Sequence, residues 1–160
     1  MIEKLLPGIA HLQNIHPLVI HFPIAFLTGC VFFYVIALLT RKETLALTAF
    51  FLLLLGTLGA AAAVGTGIYA EPRVMLSPSV RGHLLAKHED FMLTTLCISL
   101  ILTVWAAIAR PFPRKGRILF ILLLFGLLGI MSVGADYGAR MVYDYNAGGS
   151  ACPQPIEFGR

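Results

Sequence analysis

Five histidines set the chemistry open to this sequence: His11, His16, His21, His83 and His88. A neutral imidazole is a common metal ligand and titrates near physiological pH. His16 and His21 stand five residues apart, and so do His83 and His88. They occur in a chain that carries little other charge. Charged residues make up 12% of its 160 positions and hydrophobic ones 58%, whereas a soluble domain carries about 25% charge. With a mean hydropathy of +0.85, this balance argues against a soluble enzyme and against disorder. The formal charge of +4 does not point to nucleic acid. The basic residues are scattered between apolar runs, where a nucleic-acid groove would gather them on one face.

The elements that must position the histidines are four apolar stretches, at about 17–40, 45–69, 91–109 and 118–134. Each approaches the ~20 helical residues that cross a bilayer. Helices are the open-chain solution in lipid, because each satisfies its own backbone hydrogen bonds. The expected fold is therefore all-α, an integral membrane four-helix bundle in one domain, with a loop at 70–90 and a tail at 135–160. The first stretch is too long for a cleaved signal peptide, and no small-x-small site follows it. Two short turns hold Arg41 and Lys42, and Arg110, Arg114, Lys115 and Arg117, which is six of the twelve basic residues. The positive-inside rule places both turns in the cytoplasm. The N-terminus, the 70–90 loop and the tail then face the periplasm of a bacterial inner membrane, together with seven of the eight acids and every histidine.

The histidine pairs suggest a repeat. His16 and His21 recur at His83 and His88, Gly56 and Gly59 at Gly126 and Gly129, and Val64-Gly65 at Val133-Gly134. The halves would be parallel repeats related by an axis along the membrane normal. Helices one and three then run the same way, with histidines at matched depths. Two imidazoles facing across a bundle are what a bis-histidine haem requires. Five helical residues turn about 500°, so the members of each pair point about 140° apart. Only one layer can ligate. The deeper residues, His21 and His88, are the expected axial ligands, with His16 and His83 as a second layer at the water boundary. A zinc or copper site built from the four histidines with Glu89 or Asp90 is the competing ligand chemistry. Interfacial capping is the bland one.

Helices two and four are rich in small residues, Gly59 and Gly129 among them. These close-pack helices in membranes, and they also leave room for a flat cofactor or a quinone head. Asp136 and Arg140 have the spacing of a helical pair, and Arg140 has the fork to hold a haem propionate. Tyr69, Tyr137, Tyr143 and Tyr145 read as an aromatic belt. Cys30, Cys97 and Cys152 are too dispersed for a disulfide framework, and no C-x-x-C-H attaches a c-type haem. Neither H-E-x-x-H nor G-x-S-x-G is present, which argues against a hydrolase.

The stretch His16-Pro17-Leu18-Val19-Ile20-His21-Phe22-Pro23-Ile24-Ala25 resembles the signature of a family of bacterial four-helix membrane proteins, described as a membrane domain of unknown function. The resemblance extends to the glycine-rich end of helix two, the histidine entering helix three, and the segment Gly138 to Tyr143. Some members are fused to or encoded near c-type cytochrome modules, which implies redox work. This chain departs from the pattern at Gly65-Thr66-Gly67-Ile68-Tyr69, where members often carry an acid. A role for that acid does not carry over.

These features together lead to one expectation. The chain is a haem b-binding electron-transfer subunit of a larger hetero-oligomeric complex rather than a stand-alone enzyme. It passes electrons between quinol and a c-type cytochrome or other redox subunit. The rivals are a structural membrane anchor and a histidine-based metal-ion binding or transport protein.

Overall fold

The computed structural model describes residues 15–147. Among them the chain is helical and contains no strand. A short helix α1 (His16–Val19) leads into α2 (His21–Thr40). Pro17 sits in the first turn of α1, where its missing N–H costs nothing. The break at Ile20 follows from Pro23, which has no N–H to give Val19 and whose ring crowds that carbonyl. The hairpin partner is α3 (Glu43–Ala70). A 3₁₀ turn (Glu71–Arg73), the short α4 (Pro78–Val80) and a π-helical turn (Arg81–Leu85) then lead into α5 (Ala86–Ala109). The last helix is α6 (Arg117–Tyr143), entered through Gly116 at φ +81°.

Four segments are long and apolar enough to span a membrane: His16–Thr40, Glu43–Arg73, Pro78–Ala109 and Arg117–Tyr143. The expected bundle is thus the observed one. The third and fourth helices run longer than their apolar stretches. Most of the expected 70–90 loop is helical from Pro78 onward, and α6 continues to Tyr143 instead of ending near 134. Hydropathy marks what lipid must cover. A helix is free to project past that depth and carry Lys87, Glu89, Asp136 or Arg140 on its end. The outward faces are apolar all round, with Phe32, Phe51, Leu58, Ile101 and Leu122 exposed, as a lipid-facing surface requires.

The helices form a ring: α2 packs on α3, α3 on α5, α5 on α6, and α6 returns to α2. Helices α2 and α5 therefore face each other across the diagonal. At the end with the basic turns, Tyr34 and Phe120 are fully buried and pack edge to face, joined by Trp105 and Phe112. The Tyr34 hydroxyl donates to the Pro111 carbonyl at 3.0 Å and ties down the second basic turn. At the opposite end, Val80, Leu84 and Met141 form a smaller cluster. There Arg81 donates to the Glu71 and Val74 carbonyls and pairs with the Glu71 carboxylate at 3.1 Å.

The interior contains a repeat in a register different from the expected one. Helix α2 buries Pro23, Leu27, Cys30, Val31 and Tyr34, and α5 buries Thr95, Ser99, Leu102, Thr103 and Ala106. Each residue of the second set lies 72 positions after its counterpart. Helix α3 buries Ala49, Leu53, Gly56, Ala60, Ala63 and Ala70, matched 71 positions later by Phe120, Leu124, Leu127, Met131, Gly134 and Met141 of α6. The offsets of 67 to 70 read from the sequence came from motif words, while the fold repeats its buried faces. In the structural register His88 is the equivalent of His16, not of His21.

Candidate functional site

His16 stands at the start of α1 and packs on α3. Its Nδ1 lies 3.1 Å from the Thr66 hydroxyl oxygen. Thr66 has one hydroxyl hydrogen, directed at the carbonyls of Ala62 and Ala63 at 2.9 and 3.0 Å. Its oxygen is therefore the acceptor and His16 Nδ1–H the donor. His88, on α5, packs on α6, with Nδ1 2.7 Å from the Gly134 carbonyl oxygen. A carbonyl only accepts, so this Nδ1 also carries the proton. In the neutral tautomer of both rings the lone pair is then on Nε2.

Each ring lies over a glycine. A Cβ added at Gly67 would stand 3.2 Å from His16 Cε1, and one at Gly138 would stand 3.0 Å from His88 Cε1. These glycines are also 71 positions apart. The two hairpins thus each present one imidazole on an equivalent glycine, and the rings meet across the diagonal. Their centroids are 6.4 Å apart and their planes cross at 86°. An imidazole nitrogen sits about 1.1 Å from its ring centroid and about 2.0–2.1 Å from a metal it binds, so two rings sharing one ion end to end have centroids about 6.3 Å apart. The observed separation has that size. Residues at the same level are small: Ala63, Thr66, Gly67, Gly134 and Gly138.

The expected pairing of His21 with His88 is corrected here. The fold brings His16 to His88, while His21 and His83 are both exposed. The inward face of the first span is set by His16, Pro23, Leu27 and Tyr34. Five residues of turn carry His21 off that face, as the 140° estimate implies. His16 and His83 do not form a second layer either, since His83 belongs to the π turn. Gly59 packs against Pro23, and Gly129 has nothing within 4 Å of a Cβ added there. Neither glycine touches the imidazoles. Arg140 pairs with Asp144 at 3.5 Å, with both groups substantially exposed, instead of with Asp136. His11 and Cys152 lie outside the described residues, and so does the tail beyond Ala147.

Sequence reasoning missed Thr66, Gly67, Gly134 and Gly138 as the ring supports. A signal for the register was present. His11-Leu12 with His16 and His83-Leu84 with His88 make the same His-Leu-x-x-x-His word, 72 positions apart.

The fold and site define a four-span helical membrane protein whose two hairpins each bring one imidazole to the bundle interior. Residues 12–151 match the family described as Predicted membrane protein (DUF2231), and the chain belongs to that family. Neither a curated protein nor a solved structure matches the chain.

Proposed function

We propose that this chain is a membrane electron-transfer subunit that holds one b-type haem between His16 and His88. The observation that carries this reading is the imidazole pair: two rings held through Nδ1 by the scaffold, with centroids 6.4 Å apart. A porphyrin would satisfy most of the iron's coordination itself, so His16 and His88 would suffice as the protein's ligands. A zinc ion held by these rings alone would lack two of its usual four ligands. Among the described residues no group of three or more His, Cys, Asp or Glu converges to supply them. The small residues beside the rings suit a flat group.

Bound haem iron supplies one-electron redox chemistry. The chain's residues do the rest. Thr66 and the Gly134 carbonyl hold each imidazole in one tautomer and orientation, which also raises ligand basicity. The apolar helices keep the site dry, and burial and hydrogen bonding set its potential. The site lies at the end of the bundle away from the basic turns. By the positive-inside rule that end faces the periplasm of a bacterial inner membrane. Electrons would run between quinol in the bilayer and a one-electron redox protein, such as a c-type cytochrome, within a hetero-oligomeric complex.

The test is a reduced-minus-oxidised spectrum of protein purified in mild detergent after growth with ample haem. A Soret and α-band is expected. His16→Ala and His88→Ala each abolish it, while His21→Ala and His83→Ala retain it. Absence of the band in the wild-type protein overturns the reading. Metal without haem in the same sample supports the ion-binding alternative, and neither leaves the structural anchor.

A further inference from the structure

The repeat gives the helical positions of one hairpin counterparts in the other, so a feature present on one side alone stands out. One such feature lies on the lipid face between α5 and α6. A groove of about 320 Å³ is lined there by Lys87, Asp90, Phe91, Thr94 and Ile130. Their counterparts in the first hairpin are Ile15, Leu18, Val19, Phe22 and Gly59. Every polar position of the groove is apolar there. The space differs too: a Cβ at Gly59 would stand 3.1 Å from Pro23 and 3.4 Å from Phe22 Cβ, so α2 and α3 close over it. Ile130 in place of glycine leaves the second hairpin open.

We propose that this groove binds the head of a membrane-borne quinol or quinone. Lys87 and Asp90 lie at the histidine end of the groove, and Thr94 and Ile130 lie about one turn further into the bundle. An ammonium and a carboxylate lie one helical turn apart on α5. Neither takes part in an ion pair among the described residues, whose pairs are Arg81 with Glu71 and Arg140 with Asp144. A phosphate head would favour cations without a carboxylate beside them. An uncharged head that both accepts and donates matches the set: Lys87 donates to a carbonyl oxygen, and Asp90 accepts from a hydroxyl. Thr94 already donates its hydrogen to the Asp90 carbonyl, so its oxygen adds a further acceptor. Aromatic walls flank the site, with Phe91 stacked on Tyr137 at 5.8 Å and Lys87 over the same Tyr137 ring.

The groove also adjoins the imidazole pair. A Cβ at Gly134 would stand 2.7 Å from Phe91 Cβ, so the two residues touch. The Gly134 carbonyl is the group that holds His88. The inference deepens the electron-transfer reading by placing its donor, and it rests on that reading for its purpose but not for its chemistry.

The experiment is photolabelling of the full chain in phosphatidylcholine nanodiscs with an azido-quinone, mapped by peptide mass spectrometry. Label is expected on 87–94 and near 130, chased by excess unlabelled quinone. Ile130→Trp, which fills the groove, lowers it at least tenfold, and Asp90→Asn and Lys87→Gln each lower it several-fold. Ile118→Trp, at the far end of α6, leaves it unchanged. The two α5 variants change exposed side chains, so they keep the test valid if Ile130→Trp fails to fold. Label spread over all four lipid faces, or chased by anionic phospholipid and not by quinone, overturns the proposal. A haem spectrum of the same sample separates the two readings. Specific label without haem leaves the groove standing and removes the cytochrome, and haem without specific label removes the groove alone.

Discussion

The two hairpins share a register and divide their volume in opposite ways. In the first, α2 is bulky and α3 small: Leu27 and Tyr34 work against Gly56 and Ala49. In the second, α5 is small and α6 bulky: Ser99 and Ala106 work against Leu127 and Phe120. The feature common to both is an imidazole seated on a glycine at the same end. A packed interior tolerates volume moved between facing positions as long as the total is kept. The position of a ring that must meet its partner admits no such exchange. The difference therefore separates scaffold from site.

The strongest way to break the comparison is to disturb one half of the volume exchange. A Cβ at Gly56 would already stand 2.7 Å from Leu27 Cδ2 and 3.1 Å from the Leu27 backbone nitrogen. Gly56→Leu, which imports the second hairpin's Leu127, should cost about 3 kcal/mol, at the upper end for overpacking. Adding Leu27→Ser, the counterpart of Ser99, should recover more than half of that. Denaturant unfolding in detergent reads both. A double variant no more stable than Gly56→Leu alone would show that the matched burial is not an exchange of volume.

Next in size is the contact where α6 touches α5. Gly134 is the counterpart of Ala63, so the first hairpin accommodates a methyl at this position. The second does not: a Cβ at Gly134 would run into Met92 Cε and stand 2.7 Å from Phe91 Cβ. The methionine end can move, but the Phe91 Cβ is fixed to its backbone. Gly134→Ala should cost about 2 kcal/mol. It should also shift the carbonyl that holds His88, and so weaken the haem binding proposed for the imidazole pair. Ala63→Gly should cost about 1 kcal/mol through helix propensity alone and leave the proposed haem binding unchanged. Equal effects from the two substitutions would remove the asymmetry.

These contacts show what could be read in the sequence and what could not. The four spans follow from length and hydropathy, because lipid sets both. Equally legible was the fact that two histidines five residues apart cannot both face inward. Choosing between His16 and His21 needed the inward face of the first span. A helix that is apolar all round gives no polar stripe to mark it. Depth in the bilayer does not decide azimuth. The ring supports were hidden for a different reason. Gly67 and Gly138 resemble the other glycines of two glycine-rich helices until the fold places an imidazole over them. The Gly134 carbonyl is backbone and leaves no letter of its own.

The glycines under the rings give a smaller and more local test. Gly138→Ala should move His88 by a few tenths of an ångström, since the added Cβ would stand 3.0 Å from Cε1. Gly67→Ala should move His16 less, at 3.2 Å. Either should cost about 1 kcal/mol or less in stability. Both should alter the spectrum or potential of a bound haem, Gly138→Ala more than Gly67→Ala. Unchanged spectra in both would place the bound group somewhere other than between these rings.

The smallest expected effect is the one that joins the two halves. Thr57 on α3 and Thr103 on α5 are buried, with hydroxyl oxygens 2.8 Å apart. Thr57 also reaches the Leu53 carbonyl at 2.9 Å and Thr103 the Ser99 carbonyl at 2.8 Å. Two hydroxyl hydrogens thus serve three close contacts. At any moment one hydroxyl donates across the interface and gives up its own helix carbonyl. Removing either hydroxyl lets the other return to its carbonyl, so no buried donor is stranded. Thr57→Val and Thr103→Val should therefore each cost only about 0.6 kcal/mol, as interhelical hydrogen bonds in membranes do on average. The double variant should cost about the same as either single one, because both singles remove the same bridge. A double-mutant cycle reads this directly. Additive costs would mean that each hydroxyl serves its own helix and that the hairpins meet here by packing alone.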